Sequence, residues 1–240
     1  MLGKLIVIEG TDGAGKSTQV ELIKKYLDKN NLSHAYFHFP MYGHNTFSNV
    51  ITKLLQGDFG EANQIDPYFA ATNYGMDRFS FKGSLNKALE ENDIVILDRY
   101  VFSNMAYQSA RLEGTEKQEM IDWIFKFEFD FLELQYPDLN IFLDIPISVT
   151  KDRLKAKKEG QDKASLANRS YLDGKEDIFE KDLDFQRKIR DTYLTLKKPN
   201  YEIVQCSGIS GDFGDCHRYI LSPETLFNSY IHLILDVIEK

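Results

Sequence analysis

The residues Gly10-Thr11-Asp12-Gly13-Ala14-Gly15-Lys16-Ser17-Thr18 fit the pattern G-x-x-x-x-G-K-[ST]. Glycines at this spacing let the backbone turn tightly enough for successive N–H groups to converge on one anion, and a helix starting there adds its positive end. Lys16 would bridge the β- and γ-phosphates, and the Ser17 hydroxyl would bind Mg²⁺. The bland alternative is a glycine-rich turn capping an ordinary helix, and the bare pattern arises by chance in about one chain in a hundred of this length. Context favours the phosphate loop. Leu5–Ile8 before it is a continuous apolar run, as in a strand buried on both faces, and Lys16–Lys29 after it carries a helical stripe of Val20, Leu22, Ile23, Tyr26 and Leu27. The stretch reads as a triphosphate site. A guanine switch is disfavoured, because Asn86-Lys87 runs into Ala88-Leu89 without the aspartate of N-K-x-D.

A second carboxylate, Asp98, ends the apolar run DIVIL, where phosphate-loop enzymes hold Mg²⁺ directly or through water. Arg99 follows it, and a planar guanidinium there can take a phosphate in bidentate fashion and stabilise charge during transfer. Read alone, Asp98-Arg99 is as well explained by a helix cap with a surface ion pair. The next segment shifts the balance: Tyr100, Asn104, Tyr107, Gln108 and Arg111 recur at spacings of three and four and share one helix face. Amide side chains offer both a donor and an acceptor, which suits reading a nucleobase edge. A polar outer face with snorkelling tyrosines is the competing explanation.

These residues need a scaffold, and the chain supplies one. Apolar runs at Leu5–Ile8, Ala35–Phe39, Asp93–Leu97, Asn140–Asp144 and Tyr201–Cys206 alternate with helical stretches at Phe47–Leu55, Pro67–Leu89 (one or two helices), Tyr100–Leu112, Lys117–Leu134, Val149–Lys158, Lys175–Leu196 and Pro223–Ile238. Alternation of this kind gives a parallel sheet with helices on both faces, whose ligands gather outside the carboxyl ends of the strands. Gly160–Gly174 lacks sustained periodicity and reads as a mobile segment, and 208–222 as a surface loop. The 240 residues, 42% hydrophobic, suit one large α/β domain. A formal charge of −8 argues against a broad grip on nucleic acid or an anionic membrane, and no apolar run approaches the roughly 20 residues of a membrane span. Cys206 and Cys216 form no metal or redox motif, so a reduced, cytoplasmic protein is expected.

At this point the chain resembles the thymidylate kinases, which phosphorylate dTMP to dTDP with ATP. The resemblance rests on IEGTDGAGKSTQ, FPMYG, ATNYGMDR, VILDRYVFSNMAYQSARL, PDLNIFLD and IFEKDLDFQRKIRDTY, and it covers nearly the whole length. It implies a three-layer α/β/α phosphate-loop NTPase fold with a five-stranded parallel sheet, forming a single domain over 1–240 with a mobile lid at about 155–174. It also implies an Mg²⁺ requirement, ATP and dTMP as small-molecule partners, and a homodimer. Residue by residue, Asp12 would bond the deoxyribose 3′-hydroxyl and Tyr74 would stack on thymine. Arg78 and Arg99 would grip the dTMP phosphate, Asn104 and Gln108 would face the base, and Tyr107 would lie under the sugar. Glu180 would sit near the sugar and lid, and Phe39-Pro40 matches a bond that is often cis.

The chain departs from the family in two places. Met41-Tyr42 follow Pro40 where many relatives carry an arginine, so that Tyr42 is left to hydrogen-bond the monophosphate. Gly13-Ala14 occupy the phosphate loop, so the catalytic arginine should come from the lid, with Arg153 and Arg169 as candidates. Two other readings remain at this stage: a deoxynucleoside kinase acting on thymidine, and an inert ATP-binding regulatory protein.

Overall fold

The computed structural model describes residues 2–61, 64–158, 183–210 and 217–239. Five strands form one parallel sheet: β1 (Lys4–Glu9), β2 (His34–His38), β3 (Ile94–Asp98), β4 (Leu139–Asp144) and β5 (Tyr201–Gln205), in the order β2-β3-β1-β4-β5. The central strand β1 carries the phosphate loop at its carboxyl end, and pairing of Ile8 with Asp98 brings the end of β3 beside it.

Successive side chains of β1 serve opposite faces, as strand geometry requires. Leu5 and Val7 join a core with Leu97, Phe102, Met105, Ile189 and Tyr193, whereas Ile6 and Ile8 join another with Val20, Ile23, Leu27, Tyr230 and Ile234. The first core lies under α5 (Val101–Ser109), α6 (Gly114–Phe125) and α8 (Leu183–Thr195), and the second under α1 (Lys16–Lys29) and α9 (Pro223–Ile238). The result is the expected three-layer α/β/α phosphate-loop NTPase fold, with the interior strands apolar on both faces because both are covered. The expected lid at 155–174 lies outside the described residues from 159 onward.

Local sequence accounts for the remaining elements that reach the site. Asn45 and Ser48 form a capping box on α2 (Thr46–Leu55). Asp66 caps α3 (Pro67–Ser80) by accepting from Phe69 N at 2.9 Å, with Pro67 in the first turn. The segment expected as one or two helices over 67–89 is two, since α4 (Lys82–Glu91) starts after a break at Phe81.

Two expectations need correction. The helix foreseen over Lys117–Leu134 starts at Gly114 and, after Phe125, widens into a π-helix over Lys126–Phe131. Widening leaves Trp123, Phe127 and Phe131 stacked in a column, with centroid separations of 5.0 and 6.0 Å and only Phe131 exposed, while Glu128 turns inward to complete burial. The supposed loop at 208–222 contains an antiparallel pair, β6 (Ser207–Ser210) and β7 (His217–Ile220). Short, glycine-containing strands without a β-branched run give little signal, and the Tyr219 ring lies over Gly208, 2.5 Å from where a Cβ would stand.

The inward side of the π-helix is packed tightly on α3. A Cβ on Gly75 would stand 2.7 Å from Phe127 Cε1 and 3.3 Å from Glu128 Cγ. Gly75→Ala should therefore lower stability by about 1 kcal/mol, because overpacking of about 1–3 kcal/mol outweighs the better helix propensity of alanine, about 1 kcal/mol. A chemical-denaturation midpoint checks this; an unchanged or higher midpoint contradicts the packing argument.

Candidate active site

Gly13 and Gly15 adopt φ of 78° and 92°, a left-handed conformation that side chains resist, and this lets the loop turn back over the first turn of α1. No side chain caps that helix, so its first N–H groups are available to an anion. Lys16 is buried, and its Nζ donates to the carbonyls of Gly10 and Thr11, both at 3.3 Å. Burial, reinforced by the nearby Arg99, pushes its pKa down to about 8, against the opposing pull of Asp98, Asp12 and Glu9. Two further polar atoms of this region, Thr11 Oγ1 and Asp98 Oδ1, are buried without a hydrogen-bond partner. Ser17 and Thr18 are exposed at the helix start, and Ala14 packs into the core. Arg153, from α7 (Ile147–Lys158), reaches the loop and donates from Nη1 to Gly13 O at 2.7 Å.

Glu9 has no exposed surface, and burial pushes its pKa up despite the hydrogen bonds it receives. It accepts from Tyr100 N at 3.0 Å, Ser103 N at 3.1 Å, the Ser103 hydroxyl and the Tyr193 hydroxyl at 2.9 Å. The carboxylate of β1 thus supplies the N-terminal cap that α5 lacks locally.

Arg99 stands between the phosphate loop and α5. Its backbone is left-handed at φ 68°, and its amide donates to Ile8 O at 3.0 Å. Its guanidinium donates to Gly10 O at 3.0 Å and to Asp12 Oδ1 at 2.6 Å, and lies 5.0 Å from the centre of the Tyr107 ring. Asp12 in turn accepts from the Tyr107 hydroxyl at 2.9 Å. Burial works against the charge on Arg99, but Tyr107 and Asp12 outweigh it and hold the group protonated.

Next to this lies a second cluster. Glu128 pairs with Arg78 through Nε and Nη2, both at 2.6 Å, and the pair is almost fully buried. Asn104 Nδ2 donates to Glu128 Oε1 at 2.8 Å and to Ala71 O at 3.0 Å. Gln108 is buried and accepts from Arg111 at 3.1 Å. Tyr74 packs beside Ile51, Leu54 and Ala70, along with Tyr42. Phe39-Pro40 is cis, and the loop after it is held by buried Asp77, which accepts from Met41 N at 2.9 Å and from Asn45 Nδ2 at 2.6 Å.

A family model described as thymidylate kinase matches residues 8–208. The chain belongs to the thymidylate kinase family. A thymidylate kinase of Mycobacterium tuberculosis (strain H37Rv) is 30% identical over 193 residues, 80% of this chain and 85% of that one. A probable thymidylate kinase 1 of Saccharolobus solfataricus is 33% identical, covering 85% of this chain and 89% of its own. A probable thymidylate kinase of Thermococcus gammatolerans is 31% identical, covering 92% and 95%. Among solved structures, a thymidylate kinase from Candida albicans superposes with a TM-score of 0.68 at 21% identity, covering 98% of this chain and 92% of that one, a likeness of fold. The protein is a phosphotransferase with the family's activity, phosphorylation of dTMP to dTDP with ATP as donor. The readings as a thymidine kinase or an inert ATP-binding protein are not favoured by these relatives.

Relative to the residues singled out in the sequence, the thymidylate kinase fold draws Asp12, Lys16, Asp98, Arg99 and Tyr107 together around the phosphate loop. It buries Asn104 and Gln108, so the amide face of α5 is not a solvent face. Arg78, expected on a phosphate, has its charge balanced by Glu128. Arg169 and Glu180 lie outside the described residues. Glu128, Asp77 and Tyr193 were not foreseen, and Glu9 was visible only as the end of its strand. A carboxylate ending a fully apolar strand and acids set among the aromatics of KFEFDF were the available signals, since buried acids need partners.

The lowered pKa of Lys16 has a kinetic consequence. Below about pH 8 the free enzyme carries the Lys16 ammonium; above it the charge is lost. A bound triphosphate raises the pKa again, so kcat/KM for ATP should fall above about pH 8 while kcat holds to higher pH. Parallel pH profiles of the two parameters check this.

Proposed function

We propose that a phosphate oxygen of dTMP attacks the γ-phosphorus of ATP in line, the new P–O bond forming as the β–γ bridging bond breaks and ADP leaves. A phosphate acceptor is already a nucleophile, so the work is positioning and charge neutralisation. The observation that carries this reading is Arg99. Its guanidinium touches the phosphate loop at Gly10 and the acceptor side at Asp12 and Tyr107, which suits a cation shared by both phosphates. Lys16 takes the β- and γ-phosphates with the N–H groups of residues 10–18, and Arg153, already on Gly13, supplies a second cation. Asp12 and Tyr107 hold the sugar, Tyr74 the face of the base, and Asn104 and Gln108 its edge. Phe39, Pro40 and Tyr42 line the monophosphate, with Arg78 contributing the N–H donors not taken by Glu128.

Mg²⁺ fits the donors present. Asp98 Oδ1, at the end of β3, is buried without a partner, and the Ser17 hydroxyl is exposed at the start of α1, an all-oxygen pair suited to a hard cation. Among the described residues no cluster of three or more acids, histidines or cysteines could hold a metal alone, so phosphates and water complete the shell. When bound, the ion neutralises charge on the β- and γ-phosphates.

Arg99→Ala should reduce kcat by about a hundredfold or more, the usual loss for a donor aimed at developing charge, with the thermal transition nearly unchanged. The check is dTMP-dependent ADP release, with thymidine offered in parallel. Near-normal turnover in the variant removes Arg99 from the mechanism, and a preference for thymidine removes the reading altogether.

The reading also includes a cytoplasmic homodimer of single domains spanning 1–240. No helix among the described residues is long and apolar enough to cross a membrane. The stack of half-buried Trp123 and Phe127 with Phe131, the last 77% exposed, and with Tyr68 edge-on to Trp123, is the apolar feature that supports a second copy. Phe131→Glu should shift the wild-type dimer to monomer in light scattering; a wild-type monomer contradicts it.

A further inference from the structure

The cluster around Glu128 has a property that pairing alone does not explain. An asparagine amide has two hydrogens and one acceptor oxygen. In Asn104 both donor directions are taken, one by Ala71 O at 3.0 Å and one by Glu128 Oε1 at 2.8 Å. The orientation of the amide follows from these two acceptors. What remains is Oδ1, buried and without a partner, on a side chain only 3% exposed. Glu128 is itself held, since both its oxygens accept from Arg78 and it has no exposed surface. It reaches this point because the backbone widens into a π-helix, which turns one acid inward from a run of aromatic residues.

We propose that Glu128 is a positioning residue for base selection, locking the Asn104 amide so that it presents only an acceptor and the substrate base must bring an N–H donor. This rests on the reading that Asn104 faces the base. A pyrimidine imide, with hydrogen on ring nitrogen N3, satisfies Oδ1. Cytosine, whose N3 is a bare acceptor, leaves two lone pairs facing each other in a buried site, and sites built around one hydrogen-bond polarity reject the wrong partner strongly. Without the Glu128 carboxylate only Ala71 O orients the amide, which then turns over more readily to offer N–H₂ instead.

The test uses dTMP, dCMP and N3-methyl-dTMP with the full-length wild type and with Glu128→Gln. The wild type should prefer dTMP over both other nucleotides. In E128Q the preference for dTMP over dCMP in kcat/KM should fall by about tenfold or more, through a higher KM for dTMP with kcat held within a few-fold. A purely structural role would lower thermal stability and leave the ratio unchanged, and that result overturns the proposal. Should E128Q fail to fold, E128D keeps a carboxylate beside Arg78 while shortening the reach to Asn104. The same loss of preference is then expected, and an unchanged ratio again overturns it. If the wild type uses N3-methyl-dTMP as readily as dTMP, the placement of Asn104 at the base fails and the proposal with it. If the wild type discriminates but the folded variant does too, only the role of Glu128 fails.

Discussion

One buried carboxylate holds the two halves of the site in register. Glu9 ends the central strand, has no exposed surface, and sits immediately before the phosphate loop. Removing a carboxylate from water costs several kcal/mol, which is tolerated only when its lone pairs are met. Here they are met by two backbone N–H groups at the start of α5, by Ser103 and by Tyr193 from α8. The phosphate loop therefore cannot shift relative to the helix that carries Asn104, Tyr107 and Gln108 without stranding a buried charge. The phosphate loop and α5 become one rigid unit.

Arg99 and the Arg78–Glu128 pair extend that unit in different directions. Arg99 adopts a left-handed backbone, a costly conformation for a residue with a side chain, and the geometry is held by its amide on Ile8 and its guanidinium on Gly10 and Asp12. The Arg78–Glu128 pair ties α3 to the π-helix and, through Asn104, to α5. Such a pair adds little net stability, because desolvation consumes most of the attraction. Its value lies in specifying which way the polar atoms point, through the two bonds from Arg78 and the one from Asn104.

Much of this was legible from local pattern. The phosphate loop announces itself by glycine spacing between a fully apolar strand and a helical stripe, and the strand ends at Glu9 and Asp98 are visible as acids closing apolar runs. The helix starting after Tyr100 was legible by its period, but its cap was not, because the capping carboxylate is 91 residues away in the chain. The π-widening of 126–131 and the pairing of 207–210 with 217–220 were likewise hidden. Neither has a composition of its own; each arises from what packs against it.

The amino-acid sequence by itself determined the parallel α/β architecture, the triphosphate loop with Lys16 and Ser17, and the set of side chains available to an acceptor nucleotide. These depend on periodicity, glycine spacing and residue chemistry, which are local. Only the tertiary structure decided the charge state and direction of those side chains. Burial lowers Lys16 toward neutrality, Glu128 balances Arg78, and two acceptors fix the Asn104 amide so that its oxygen is left buried without a partner. Desolvation and hydrogen-bond partnership are properties of neighbours brought together from distant parts of the chain, and no stretch of sequence contains them.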